Sequence, residues 1–274
     1  MIRAEKHGYA DLYSLYQSSE IFFPLIAAVL LDRQDGVVYV DDPTSPAQVY
    51  VEHAFGFAQI FGETVQQFEK KLESYFFESK LFSPSKVRLY APYLPEFLAS
   101  TKYEALRSYR QRFVLKAEDL ILGEERGHGP DKRVSLALVD ANNSSLIEDK
   151  FGVVGRFWRS QDDFVRQSNA VAVFYDGEPA SICYSAAEAD CRVEIDVLTL
   201  PEYRNLGLAK LAVTDFATRC FSLSLTPLWD CFTNNSGSMM LCKSVGFAAS
   251  SAPYPFFTIS KLMSNQQIAN RKNG

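Results

Sequence analysis

The stretch that decides the fold is Leu200-Pro-Glu-Tyr-Arg-Asn-Leu-Gly-Leu-Ala-Lys210. Just before it, Arg192-Val-Glu-Ile-Asp-Val-Leu-Thr199 alternates as a β-strand does. Just after it, residues 207–222 carry Leu208, Leu211, Ala212, Asp215, Phe216 and Arg219 in a helical pattern. A strand ends, a turn containing Arg204, Gly207 and Ala209 follows, and a helix begins. Such a junction is an anion site. Backbone amides at a helix N-terminus point outward, carry the positive end of the helix dipole, and can hold a pyrophosphate. Gly207 lets the backbone approach closely, and the small Ala209 leaves room for the phosphates. The string is not a P-loop, because GxxxxGK[ST] is missing, nor a dinucleotide fingerprint, which needs GxGxxG.

Working outward, 169–175 and 179–184 read as strands flanking Asp176-Gly177, a strong hairpin signal. A short strand follows at 228–232, then a helix opened by Asn235 or Ser236 and stopped at Gly246, and a closing strand at 254–261. The order β–β–β–α–β–α–β predicts an α/β fold, a mixed sheet with helices on its faces. The N-terminal part is also α/β: a helix over 10–16, strands at 37–40, 48–51 and 54–61, and a helix from Thr64 as N-cap through Tyr75. Further strands are expected at 86–90, stopped by Pro92 and Pro95, and at 109–115. The Gly-rich polar stretch 123–131 is the best linker, which divides the chain into domains 1–125 and 134–262. No internal repeat is visible.

Composition bounds the rest. The 274 residues are 47% hydrophobic and 22% charged, as in an ordinary soluble protein. A net charge of −5 argues against nucleic acid as a partner. The five cysteines, Cys183, Cys191, Cys220, Cys231 and Cys242, form no CxxC pair and have no histidine at zinc-site spacing, so no metal is expected. An odd count without a secretory signal suggests free thiols in the cytoplasm. The apolar run 21–31 is interrupted by Pro24 and too short to span a bilayer, so it reads as buried core with no membrane role.

Arg204-x-x-Gly207-x-Ala209, preceded by Pro201-Glu-Tyr203, resembles the CoA-pyrophosphate loop of the GNAT acyltransferases. Asn235-Ser-Gly-Ser238 and Gly246-Phe247 resemble the family's second block, with Pro227-Leu-Trp-Asp-Cys231 between the two. The first string alone is a weak match; between a strand and a helix, with the second block at the right distance, it is specific. The combination resembles the two-domain subgroup that includes the zwittermicin self-resistance acetyltransferase. It covers 134–262 well, and the N-terminal part only in general layout. The resemblance implies an N-acyltransferase that takes acyl-CoA as co-substrate and acylates a primary amine of a small molecule. Kinship points to an amino sugar, nucleotide-linked or not, or an antibiotic-like amine. The alternative is a GNAT-like module that senses acyl-CoA without transfer.

The resemblance also distributes roles. Arg204, Asn205, Leu206, Gly207, Leu208 and Ala209 would hold the pyrophosphate, and the backbone amide of Val197 or Leu198 would polarise the thioester carbonyl, with Thr199 beside them on the CoA side. Asn235, with Ser238, would contact the pantetheine or cap its own helix. Where many members carry a proton-donating Tyr, this chain has Cys242, which is either a donor thiol or a small core residue. Glu194 and Asp196 share one strand face and are the candidate bases, the alternative being a polar network. The family positions that most often carry a base fall on the other parity, at Val193 and Ile195, and a β-bulge would switch the faces. His53 is the runner-up base or a satisfied core histidine. The added N-terminal domain would bind the acceptor or form a homo-oligomer contact.

Overall fold

A computed structural model describes residues 1–19, 21–122 and 132–262, so the proposed linker lies outside the described residues. In chain order come β1 (Ile2–Arg3), α1 (Tyr9–Gln17), α2 (Pro24–Leu30), β2 (Gly36–Val40), β3 (Gln48–His53), β4 (Phe57–Gly62), α3 (Gln66–Glu73), β5 (Lys86–Tyr90) and β6 (Arg107–Val114). There follow β7 (Val134–Leu138), α4 (Ser144–Phe151), α5 (Val154–Phe157), α6 (Gln161–Gln167), β8 (Val171–Tyr175), β9 (Glu178–Ala189) and β10 (Arg192–Thr199). The chain continues through α7 (Leu208–Ser222), β11 (Thr226–Phe232), α8 (Ser236–Val245), β12 (Ala248–Ala249) and β13 (Tyr254–Ser260). The α/β class and the mixed sheet flanked by helices are as expected.

Two units emerge: Met1–Arg110 with the stretch from Pro253 onward, and Gln111–Ala252. In the first, β1-β2-β3-β4 run antiparallel, α3 crosses over, and β5 returns parallel to β4. β13 completes this sheet, pairing antiparallel with β5 from Phe256 to Ser260. In the second, β7-β8-β9-β10 run antiparallel, α7 crosses over, and β11 returns parallel to β10. Residues 111–114 of β6 complete that sheet beside β11. The connectivity is therefore repeated although the sequence shows no repeat. Packing explains it: a β-α-β crossover needs apolar faces, which many residue combinations supply. The closing strand, read as part of the C-terminal domain, belongs to the N-terminal unit because its ladder partner is β5.

Local signals account for most boundaries. Asn235 caps α8, its Oδ1 accepting from Ser238 N at 3.1 Å. Pro24, which seemed to interrupt the apolar run, is the first residue of α2, where its missing N–H costs nothing. All seven residues of α2 are buried. Thr64 does not cap α3. Its hydroxyl bonds Tyr93 Oη instead, and Val65 is the N-cap, with its amide held by Gln48 Oε1 from β3 at 2.9 Å. Each unit has its own hydrophobic cluster. Phe68, Leu72, Phe76, Leu89 and Phe257 belong to the first, and Val193, Leu208, Val213, Phe216, Trp229 and Phe247 to the second.

Candidate active site

The parallel strands β10 and β11 are partners over only three positions, Arg192↔Thr226, Val193↔Pro227 and Glu194↔Leu228. Beyond these β10 continues to Thr199 along β9, and β11 runs on to Phe232. The two strands fork, and backbone groups on their facing edges leave the ladder. Leu200 N donates to Ala180 O at 3.0 Å, so the alternation of strand amides turns Leu198 and Asp196 toward β9 as well. Val197 and Thr199 consequently present N–H and C=O to the fork. Of the two amides considered from sequence, Val197 is the one aimed into it.

The N-terminus of α7 follows β10 directly. Its N-cap, Gly207, has φ +81°, a left-handed value that a side chain would strain. A Cβ built there would meet nothing within 4 Å, so the position opens onto free space. Gly207 O accepts from Lys210 N at 3.1 Å and Leu211 N at 3.3 Å. The amides of Gly207, Leu208 and Ala209 precede these bonds and remain directed outward. Asn205, also left-handed at φ +63°, shapes the turn with the exposed Leu206. Arg204 Nε reaches Thr199 O at 3.5 Å, and Thr199 Oγ1 lies 2.8 Å from Ser181 Oγ, which folds the loop against β10 and β9. Buried Leu208 anchors the helix in the core. The chemistry fits a pyrophosphate: outward amides, a dipole end, and no side chain on Gly207 itself.

A register shift does occur beside the candidate bases, between Glu194 and Ile195. Its extra residue, however, is Ala186 on β9, which falls between Ala187 (opposite Glu194) and Ser185 (opposite Ile195). The alternation of β10 is untouched, so this bulge does not switch its faces. Val193, Ile195 and Val197 pack into the core under α7, while Glu194 and Asp196 face the other way.

Both carboxylates are engaged. Glu194 is buried, with Oε1 3.7 Å from Arg112 Nη2, and the same guanidinium approaches Asp230 Oδ2 through Nε at 3.4 Å. Asp196 has 24% of its side chain exposed; its Oδ2 accepts from Tyr184 Oη at 2.6 Å and pairs with Arg156 Nη1 at 2.8 Å. Burial and the neighbouring Asp196 charge push the Tyr184 phenol well above its usual range. Arg112, Asp230, Tyr184 and Arg156 are not among the candidates read from sequence. Their partners lie 12 to 118 residues away, so no local spacing marks them.

The remaining candidates resolve as follows. Cys242 is fully buried in the core, its Sγ directed at Met239 O at 3.4 Å, and burial with nearby Cys231 pushes its thiol up to about 12. Its thiol is directed within its own helix. Ser238 Oγ accepts from Trp229 Nε1 at 3.0 Å, which ties the start of α8 to β11. His53 lies in the first unit. Its Nδ1 accepts from Phe55 N at 3.0 Å and its Nε2 lies 3.1 Å from Gln34 Oε1. Burial lowers its pKa to about 4, which makes it a neutral core histidine. Among the described residues, no group of three or more His, Cys, Asp or Glu is placed to hold a metal ion, and no helix is long and apolar enough to cross a membrane.

The sequence model of the GNAT acetyltransferases matches residues 20–257. An uncharacterized N-acetyltransferase of Bacillus subtilis (strain 168), YdfB, is 25% identical over 256 residues, spanning 88% of this chain and 92% of that protein. The crystal structure of a GCN5-related N-acetyltransferase-like protein from Streptococcus suis 89/1591 superposes with a TM-score of 0.68 at 19% identity, over 93% of this chain and 99% of that one. A tandem GNAT protein from the clavulanic acid biosynthesis pathway superposes with a TM-score of 0.61 at 9% identity, over 96% of this chain and 98% of that one. At these identities the two structures speak for the fold.

Proposed function

The chain belongs to the GNAT acetyltransferase family, and from that premise we propose that its second unit moves an acetyl group from acetyl-CoA to a primary amine of a small molecule. One observation carries the assignment: the fork between β10 and β11 opens beside the outward amides of α7, so a thioester and a pyrophosphate find adjacent places. The outward amides of Gly207, Leu208 and Ala209 hold the pyrophosphate, on a loop shaped by Arg204, Asn205 and Leu206. The Val197 amide donates to the carbonyl oxygen, which gains negative charge as the amine attacks, a contribution that depends on placement rather than on side-chain type. The attacking amine must first lose its proton. Asp196 is the better placed acceptor for it, being partly exposed on the free part of β10, whereas Glu194 is enclosed by Arg112. Departure of the thiolate proceeds without Cys242.

The acceptor is an amino sugar or an antibiotic-like amine, a reading supported by the motif-level likeness to the two-domain subgroup with the zwittermicin self-resistance enzyme. The repeated connectivity, together with likeness to a tandem GNAT protein, supports two GNAT-type units in this chain. The first has no Arg-x-x-Gly-x-Ala before α3, so it serves acceptor binding or oligomer formation. Family membership favours transfer over acyl-CoA sensing.

The test is thermal unfolding with and without acetyl-CoA, followed by release of free CoA thiol across a panel of amines. At about a hundred times Kd, a true site adds roughly 2.7 kcal/mol and raises the midpoint by several degrees. A shift that disappears in Gly207→Glu, with thiol release for some amine, is the expected result. Absence of any shift would overturn the assignment.

A further inference from the structure

We infer that Arg112 is a positioning residue that sets the opening of the β10–β11 fork, a role that rests on the acyl-CoA reading of that fork. Arg112 stands on β6, beside β11, and its guanidinium reaches both arms. Glu194 is the last residue of β10 still in register with β11, and Asp230 lies two residues past the last partner on β11. Nη2 approaches the first at 3.7 Å and Nε the second at 3.4 Å. One rigid, planar cation therefore ties the point where the strands part to the arm that leaves.

Stability alone does not account for three charges here. Their side chains are 5% (Arg112), 6% (Glu194) and 2% (Asp230) exposed. Burying ions costs several kcal/mol each, and an apolar trio of the same volume is often at least as stable. The first unit supplies an internal comparison, because there too a β-α-β crossover leaves two parallel strands in register over only three positions. There β4 and β5 are in register over Phe57↔Arg88, Ala58↔Leu89 and Gln59↔Tyr90. Neutral Gln59 takes the place of Glu194 and accepts from Tyr16 Oη at 2.6 Å. Beyond it side chains join the segments that follow the two strands, in part through α3 and β3. Thr64 Oγ1 bonds Tyr93 Oη, and Glu69 Oε2 accepts from Glu96 N at 2.9 Å while its Oε1 accepts from Gln48 Nε2 at 3.1 Å. Where β5 ends in the first unit, the last paired residue of β4 is neutral. The fork beside the open Gly207 turn has the buried cation.

Calorimetric titration of acetyl-CoA into the full chain tests this, with an unfolding scan of each variant. Asp230→Asn and Arg112→Lys are each expected to weaken binding about tenfold, equivalent to about 1.4 kcal/mol, while remaining folded. Lysine keeps the charge but cannot reach both carboxylates, so it does not rescue. The double variant should be no weaker than the worse single, because both cut one tie. Arg166→Met, on the exposed face of α6, serves as the control and should bind as the wild type does. Binding within about twofold of wild type in either folded single variant, or a lower midpoint at unchanged affinity, would overturn the role. If Arg112→Lys does not fold, the nearly isosteric Asp230→Asn and Glu194→Gln decide. A wild-type chain that takes up no acetyl-CoA overturns the acyl-CoA reading itself, and the positioning role with it; binding by the wild type with unaffected variants overturns the positioning role alone.

Discussion

Gly207 and His53 stand at opposite ends of what one residue discloses about itself. Gly207 acts through its own backbone: φ +81° and free space beside it follow from the turn it closes. Gly207→Ala should cost about 1 kcal/mol in a denaturant titration through left-handed strain alone, and weaken acetyl-CoA binding far more than it weakens folding. His53 acts through distant partners, and its role was open between base and core. In the folded chain its pKa falls from 6.5 to about 4, so the unfolded chain binds the extra proton. Its contribution is complete above about pH 6.5, declines as the pH falls toward 4, and is then lost, amounting to about 3 kcal/mol. Unfolding midpoints between pH 7 and 4 should therefore fall less in His53→Gln than in the wild type. For Cys242, Cys242→Ala is expected to cost about 1–2 kcal/mol of stability and to leave kcat within a few-fold. A collapse of kcat with a normal midpoint would restore it as an acid.

Elements differ in how much of their cause is local. The cap of α8 was legible because Asn235 bonds a residue three positions away; Asn235→Ala should lower stability by about 1 kcal/mol in the same titration. Gly246 ends that helix at φ +110°, and a Cβ there would run into the carbonyl oxygen of Asp119. Gly246→Ala should therefore cost more than Gly207→Ala, since it adds a backbone clash to the same strain. The cap of α3 was misread at Thr64 because the competing partners, Tyr93 and Gln48, arrive from elsewhere in the fold. Helices α4 to α6 escaped notice because four to eight residues hold only about one to two helical turns. A bulge beside the candidate bases was weighed only as something that would switch the faces of β10. Only cross-strand register reveals that Ala186, rather than a residue of β10, is the extra one.

At the scale of the molecule, β13 shows what chain order conceals. It follows β12 of the second unit yet completes the sheet of the first, pairing with β5 and burying Phe256, Phe257 and Ile259. Ending the chain after Ala252 should leave β5 with an open apolar edge and cost the first unit its cooperative unfolding, visible as aggregation or a lost calorimetric transition. A soluble, cooperatively unfolding truncate would refute that dependence. The α/β class, the strand–turn–helix junction at 200–210 and the hairpin at Asp176-Gly177 were determined by sequence alone, because periodicity, left-handed turns and helix caps are written within a few residues. The repeated connectivity, the host of the bulge, the partners of Glu194 and Asp196, and the neutrality of His53 were decided only by the tertiary structure. Each depends on groups brought together by sheet register across long separations, where burial and pairing, rather than local propensity, determine the outcome.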